Sequence, residues 1–349
     1  MGAFSNFYGN QQAAETLAQM IAGKRIPQTI LLSGPEGVGK ATLARRFGAA
    51  LLGGARKIEA DDLSLPANLE IFEQREKWPA EKRADDPLFF STHPDFVTFA
   101  PDGPLRQITI QQMRLLRERA QLKPLHGSRR VFLIDHLDRA NEQSANSLLK
   151  VLEEPPEHLV IIGTVENLYD LLPTIRSRAI VLPLKHLSDS EMLEFSEWRN
   201  LPDAEIRVAL AEGSPGIAAT LDLELYRERR GLWLAAFECG AGITPFTSWV
   251  QQSESFSGRK SEKLDYYLKL GYAVLEDVLV ASHGVPPRRN RDIEERLLRL
   301  AQRVSFVWIE RALHCMDELV LMVRRNIQKT AALDGMIISL RNCPGVVCT

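Results

Sequence analysis

Between an apolar run at residues 29–33 (Thr-Ile-Leu-Leu-Ser) and a helical spacing of Leu43, Ala44, Phe47, Ala50 and Leu51, the chain carries Gly34-Pro35-Glu36-Gly37-Val38-Gly39-Lys40. A glycine-rich turn joining a buried strand to a helix N-terminus, closed by Gly-Lys, is the signature of a phosphate-binding P-loop. The glycines let backbone N–H groups turn inward around a phosphate, and the helix start adds positive potential. Lys40 is the residue expected to reach the β- and γ-phosphates. The next position breaks the pattern. A working P-loop places Ser or Thr there to ligate Mg²⁺, and this chain has Ala41, with Thr42 one place late. One residue is about 100° of helix rotation, so Thr42 is expected to point elsewhere. The candidate nucleotide-binding set is Gly34, Pro35, Glu36, Gly37, Val38, Gly39, Lys40, Ala41 and Thr42.

The rest of the first half repeats the strand–helix rhythm. Strands are expected at 95–100 (DFVTFA), 130–135 (RVFLID), 159–163 (LVIIG) and 179–184, the last two as buried strands. Helices are expected at 108–122, ahead of Pro124, and at 141–152, ahead of Pro155-Pro156. Near-continuous apolar strands alternating with helices predict a parallel sheet covered on both faces. Residues 53–94 interrupt this rhythm. They are charged, contain Pro66, Pro79 and Pro87, and read as an insertion with one short helix near 69–77.

After Leu184 the pattern is helical only. Ser188 and Glu191 form a capping signal for a helix ending near Trp198, and a second short helix covers 202–212. The Gly213-Ser214-Pro215-Gly216 stretch reads as a helix stop and tight turn. An apolar stripe runs from Leu264 to Leu279, 283–290 reads as a loop, and helices are expected at 293–314 and 317–330.

Composition excludes several classes. Forty-three Lys and Arg against 45 Asp and Glu give a net charge of −2, which argues against a polybasic nucleic-acid coat. Local basic faces remain open. Arg114, Arg117, Arg119, Lys123, Arg129 and Arg130 read either as a solvated face or as a DNA-facing run. The longest apolar runs, such as 319–323, fall far short of the roughly 20 residues of a membrane span. The opening MGAFSNFYGNQQ shows no signal-peptide pattern, and Asn6 stands where myristoylation needs Ser or Thr, so a cytoplasmic protein is expected. The four cysteines, Cys239, Cys315, Cys343 and Cys348, form no CxxC pair, which predicts neither a metal site nor a disulfide scaffold.

Asp135, at the end of the 130–135 strand, fits a Walker B acid that holds Mg²⁺. The position after it, where an acid polarising the attacking water is common, is His136. A neutral imidazole is capable of acting as a base, and absent or weak hydrolysis is the alternative. Asp138 reads as a helix cap or surface acid. Arg178, ahead of the last strand, sits where an α/β nucleotide-binding domain can reach a neighbour's γ-phosphate. From position alone that role and a structural pairing with a carboxylate stand equally.

Five segments carry a family resemblance: Leu32 through Lys40; Thr92-His93-Pro94-Asp95-Phe96; Val131 through Asp135; Ala145-Asn146-Ser147-Leu148-Leu149-Lys150-Val151-Leu152-Glu153-Glu154-Pro155-Pro156; and Leu172-Pro173-Thr174-Ile175-Arg176-Ser177-Arg178. Together they resemble the clamp-loader subunits of bacterial DNA polymerase III, an AAA+ family, on its non-motor, delta-prime branch. The tail from Asn326 to Leu340 is similar to the family's collar. The resemblance spans the chain and is weakest over 53–90 and 225–300.

It implies an α/β P-loop AAA+ domain over 1–184, a small helical lid over 185–224 and an all-α collar over 225–349 that joins a five-subunit ring. It also implies a stator that offers Arg178 in trans to an adjacent motor subunit. Implied partners are the motor subunits, the delta subunit and, through them, the sliding clamp and primer–template DNA. Three departures from the motor pattern favour the stator: Ala41, His136, and Gly216 where motors carry a sensor arginine. The other sensor position falls on Thr164 or Val165. ATP or ADP is then expected to bind weakly, without turnover and without a full Mg²⁺ ligand set. The family's four-cysteine zinc module would fall in 53–94, which has no cysteine, so no zinc is expected. Ala179 replaces the cysteine that commonly follows the Ser-Arg pair. The rival readings are an active motor ATPase of the same or another AAA+ machine, and a free-standing nucleotide switch, which the missing Mg²⁺ hydroxyl disfavours.

Overall fold

A computed structural model describes residues 4, 7–257, 264–287, 289–324 and 329–345. The chain separates into two compact units, 1–204 with 211–219, and 205–210 with 220–349.

In the first unit α1 (Gln11–Ala22) precedes β1 (Thr29–Ser33), and the glycine-rich turn leads into α2 (Lys40–Leu52). The inserted segment holds α3 (Ala55–Glu59), α4 (Pro66–Glu76) and α5 (Ala80–Asp85). Then follow β2 (Phe96–Phe99), α6 (Ile110–Ala120), β3 (Arg130–Ile134), α7 (Glu142–Glu153), β4 (Leu159–Val165), α8 (Pro173–Arg176), β5 (Ile180–Pro183) and α9 (Asp189–Trp198). After α10 (Ala204–Ala211), which straddles the division between the units, comes α11 (Pro215–Thr220).

The five strands form one parallel sheet in the order β2-β3-β4-β1-β5. The two-residue alternation of β1 sends Ile30 and Leu32 to one face and Leu31 to the other. Ile30 and Leu32 meet Leu17 of α1 and Leu43 and Phe47 of α2. Leu31 meets Met113 and Leu116 of α6 and Leu148 of α7. Both faces are therefore covered, as continuous apolar strands require. β5 departs from the expected buried strand. It lies at the sheet edge, with Ile180 and Pro183 exposed and only Leu182 buried.

Local signals set the helix ends. Thr109 and Gln112 form a reciprocal capping box at the start of α6, and Ser188 with Glu191 does the same for α9. Residues 53–94 hold three helices rather than the single one expected. α4 matches the predicted helix, while α3 and α5, of five and six residues, are too short to show a period. Polar anchors hold the segment: Arg75 pairs with Asp102 through Nε–Oδ1 (3.1 Å) and Nη2–Oδ2 (2.7 Å), both side chains buried. A small cluster of Phe72, Leu88, Phe90 and Ala100 packs beside them.

The second unit is helical: α12 (Leu223–Gly240), α13 (Phe246–Ser257), α14 (Leu264–Ser282), α15 (Glu294–Arg303), α16 (Phe306–Arg324) and α17 (Lys329–Arg341). α12 is buried on nearly every side, so it shows no apolar stripe in the sequence. Trp233, Phe237, Trp249 and Trp308 fill the core. The expected helices at 293–314 and 317–330 are divided differently. Val304 takes an extended conformation (φ −118°, ψ 147°), which breaks the chain between α15 and α16, and α16 runs unbroken through 315–316. Cys239 and Cys315 are buried and Cys343 is half-buried, all three free thiols. Cys348 and Asn326 lie outside the described residues.

Candidate functional site

In the sheet order β1 lies between β4 and β5, and the chain leaves β1 for the far edge at β2. Such a switch opens a crevice at the strand C-termini where ligands of α/β sheets collect. The turn after β1 rises there. Gly34, Gly37 and Gly39 all have positive φ (146°, 77° and 97°), and a Cβ on Gly34 would lie 2.1 Å from the Leu184 carbonyl oxygen, so only glycine fits. The Gly34 N–H donates to Val165 O (3.1 Å), tying the turn to β4.

Lys40 is buried, and its ammonium points into its own loop. Nζ donates to Gly34 O (2.6 Å) and Pro35 O (2.7 Å). Burial pushes its pKa down, and the carboxylates of Glu166, Asp135, Asp138 and Glu36 pull it back up. Ala41 offers no hydroxyl. The Thr42 hydroxyl accepts a long contact from Arg45 Nη2 (3.5 Å), and Arg45 itself is pinned by Glu59 and Asp62. Thr42 is thereby committed away from the loop.

Asp135 is buried at the tip of β3, with Oδ1 accepting from the Thr164 hydroxyl (2.6 Å). That hydroxyl in turn accepts from the His136 N–H (2.8 Å). The register pairs Thr164 with Leu32 and Val165 with Ser33, and the Val165 side chain belongs to the cluster on the α6–α7 face. Of the two sensor candidates, Thr164 is the one that meets Asp135. His136 has a left-handed backbone (φ 51°), a conformation uncommon outside glycine, and its Nδ1 lies 3.3 Å from Glu166 Oε1. Asp138 accepts from the Glu166 N–H (3.1 Å), linking the end of β3 to the end of β4.

The expected tight turn over 213–216 is only half a turn: Gly213 and Ser214 close α10, whereas Pro215 and Gly216 already begin α11. Ser214 Oγ donates to Glu36 O (2.9 Å), and the Gly216 N–H donates to Gly37 O (2.8 Å), docking the turn on the P-loop. A Cβ at Gly216 would come within 2.9 Å of that carbonyl oxygen, so a side chain there displaces the loop. The Phe7 ring covers Gly39, 3.1 Å from where a Cβ would sit. The sequence marked neither contact as part of the site, because each joins segments distant along the chain.

These residues match a phosphate-binding loop in backbone geometry and in the identity of its lysine. The hydroxyl that ligates Mg²⁺ in a working loop is absent at Ala41, and Asp135 Oδ1 accepts from Thr164. Among the described residues no group of three or more His, Cys, Asp or Glu is placed to hold a metal ion.

Arg178 precedes β5, whose residue Ile180 pairs in parallel with Ile30 at the start of β1. It therefore lies at the opposite end of the sheet from Lys40, about 20 Å away along the strands at ~3.3 Å per residue. Nη1 donates to Thr174 O (3.0 Å) and Nη2 to Glu153 Oε1 (3.1 Å). The arginine does pair with a carboxylate, yet its side chain keeps 36% exposure. Of the basic run, Arg114, Arg117 and Lys123 are exposed. Arg119 stacks on Phe89 (4.1 Å to the ring centre). Arg130 is buried, donating to Arg119 O and Leu122 O, so it serves the fold.

The parallel sheet, the glycine turn and the acid at the tip of β3 define an α/β domain of the P-loop class. The family described as "DNA polymerase III, delta subunit" matches residues 9–188, just over half of the chain. The chain belongs to the clamp-loader subunit family of DNA polymerase III. It is 33% identical over 213 residues to the DNA polymerase III subunit delta' of Pseudomonas aeruginosa, covering 57% of each chain. It is 27% identical over 189 residues to subunit tau/gamma of Haemophilus influenzae, covering 54% of this chain and 25% of that one. The matched stretch thus spans between a quarter and just over half of these two relatives. A DNA polymerase III gamma subunit-related protein of Thermotoga maritima aligns over 94% of this chain and 99% of its own, at 18% identity and a TM-score of 0.45. Among the described residues no helix is long and apolar enough to cross a membrane.

Proposed function

We propose that this chain is a non-motor, stator subunit of the replicative clamp loader, a cytoplasmic component of the DNA polymerase III holoenzyme that helps place the sliding clamp on primed DNA. The observation that carries this reading is the self-occupied P-loop: the Lys40 ammonium is held by Gly34 O and Pro35 O, beside a position with no Mg²⁺-ligating hydroxyl. Two of the three ammonium donors are already engaged there, and in this reading ATP or ADP is held weakly and hydrolysis lacks the loop's Mg²⁺ ligand. Arg178 acts instead as an arginine finger on the nucleotide of an adjacent motor subunit. Its partial exposure, and its position at the sheet end away from its own loop, support that role. The partners are the motor subunits and the delta subunit, with the clamp and primer–template DNA reached through the complex. In this reading the chain comprises the AAA+ domain (1–184), a lid (185–224) and a collar (225–349).

A motor reading has one observation in its favour: His136 lies 3.3 Å from Glu166, as an oriented base would. ATP turnover by the isolated chain separates the two readings. A stator shows none, and Ala41→Ser combined with His136→Glu leaves its part in clamp loading unchanged. Turnover at the rate of a working motor, or a large gain from the double substitution, would contradict the stator.

A further inference from the structure

We propose that Glu153 is a positioning residue for Arg178, setting the plane of the guanidinium for a phosphate outside this chain. This rests on reading Arg178 as a finger in trans and deepens it.

Glu153 is the last residue of α7. A carboxylate there faces the negative end of the helix dipole, so local preference does not account for it. Its surroundings fix it in place. The helix ends at Glu154 (φ −131°, ψ 65°), and the following Pro155 and Pro156 carbonyls both accept from Gln28 Nε2 at 3.2 Å. The carboxylate projects from this anchored end to Arg178 Nη2 (3.1 Å), while Nη1 is held by Thr174 O in α8 (3.0 Å). Two contacts on the two terminal nitrogens fix both the direction and the plane of the group.

A guanidinium has five N–H donors, and these contacts use two. Three remain, at Nε and at each terminal nitrogen, on a side chain 36% exposed. That is enough for a forked approach to phosphate oxygens, which needs two donors in one plane. Glu153 is itself 53% exposed, so its contact with the arginine is an open surface pair and adds little to the fold. Its consequence is orientation.

The test is ATP turnover by the assembled loader with clamp and primed DNA, kcat and KM separated. This subunit is compared as wild type, Glu153→Gln, Arg178→Ala and the double variant. Glu153→Gln is expected to lower kcat about two- to fivefold, the scale of an exposed ion pair, with KM for ATP unchanged. In the Arg178→Ala background it is expected to change nothing further, because its whole effect passes through the guanidinium. An equal loss in both backgrounds would mean that Glu153 acts through the fold, which overturns the proposal. So would an unchanged rate for Glu153→Gln when Arg178→Ala is slow, and the finger would then stand without its positioner. If Arg178→Ala itself leaves kcat unchanged, the finger reading fails and takes the positioning role with it.

Discussion

At the scale of single residues, the family-like segments serve different ends. Lys40 and Asp135 sit at the crevice, whereas His93 and Asp95 of the Thr-His-Pro-Asp-Phe segment build the fold. Asp95 is fully buried and accepts the N–H groups of Leu125 (2.8 Å) and His126 (2.7 Å). His93 Nδ1 accepts from the Asp95 N–H (3.2 Å). Burial holds the His93 pKa below the ordinary histidine value. Asp95 and Asp61 oppose the shift, and His126 and Lys57 add to it. The unfolded chain then binds the His93 proton more tightly than the folded one. The contribution is present above the ordinary value near 6.5 and is lost as pH falls from there through the lower folded value. Urea midpoints at pH 7.5 and 5.5 should therefore differ more for the wild type than for His93→Gln; an equal difference would contradict the assignment. Which of Thr164 and Val165 meets Asp135 was open in the sequence because the two are adjacent, both small and both β-branched. The pleat decides it, since only Thr164 shares a side of the sheet end with Asp135. The Glu153 partner of Arg178 was not legible either, because nothing local ties residues 25 positions apart.

At the scale of elements, the legible parts were those whose signal is local and periodic. The strand carrying the P-loop, α6 between Thr109 and Pro124, and α9 with its capping box all follow from short-range chemistry. The errors share one cause, which is that tertiary packing overrides local pattern. β5 has apolar residues but takes an edge position, and the 293–330 stretch divides at Val304 with no Gly or Pro to mark the break. The 53–94 insertion belongs to the same class. The buried Arg75–Asp102 pair ties it to the rest of the unit. Removing one partner of a buried pair leaves an uncompensated charge and costs about 3–5 kcal/mol. Arg75→Met is therefore expected to hasten proteolytic cleavage within 53–94 markedly, and Arg75→Met with Asp102→Leu to recover most of the resistance. Cleavage unchanged by Arg75→Met would show that the pair does not anchor the segment.

At the scale of the whole molecule, the α/β class of the first unit and the helical nature of the second were both legible, one from alternating apolar strands and the other from their disappearance after Leu184. What the sequence did not show is how the P-loop is closed from within. That closure needs Lys40 turned onto its own carbonyls, Ser214 and Gly216 docked from about 180 residues away, and Phe7 laid over Gly39. These contacts surround the loop from within the first unit, while Arg178 at the opposite end of its sheet keeps 36% exposure. The central claim is that the chain's catalytic contribution lies in its neighbour's site. The most direct measurement is the ATP turnover of the reconstituted loader, on primed DNA with clamp, carrying Arg178→Ala in this subunit. The account predicts a fall of at least about tenfold, toward the 10³–10⁵ seen when such fingers are removed elsewhere, with the complex still assembled. An assembled complex turning over ATP at the wild-type rate would contradict it.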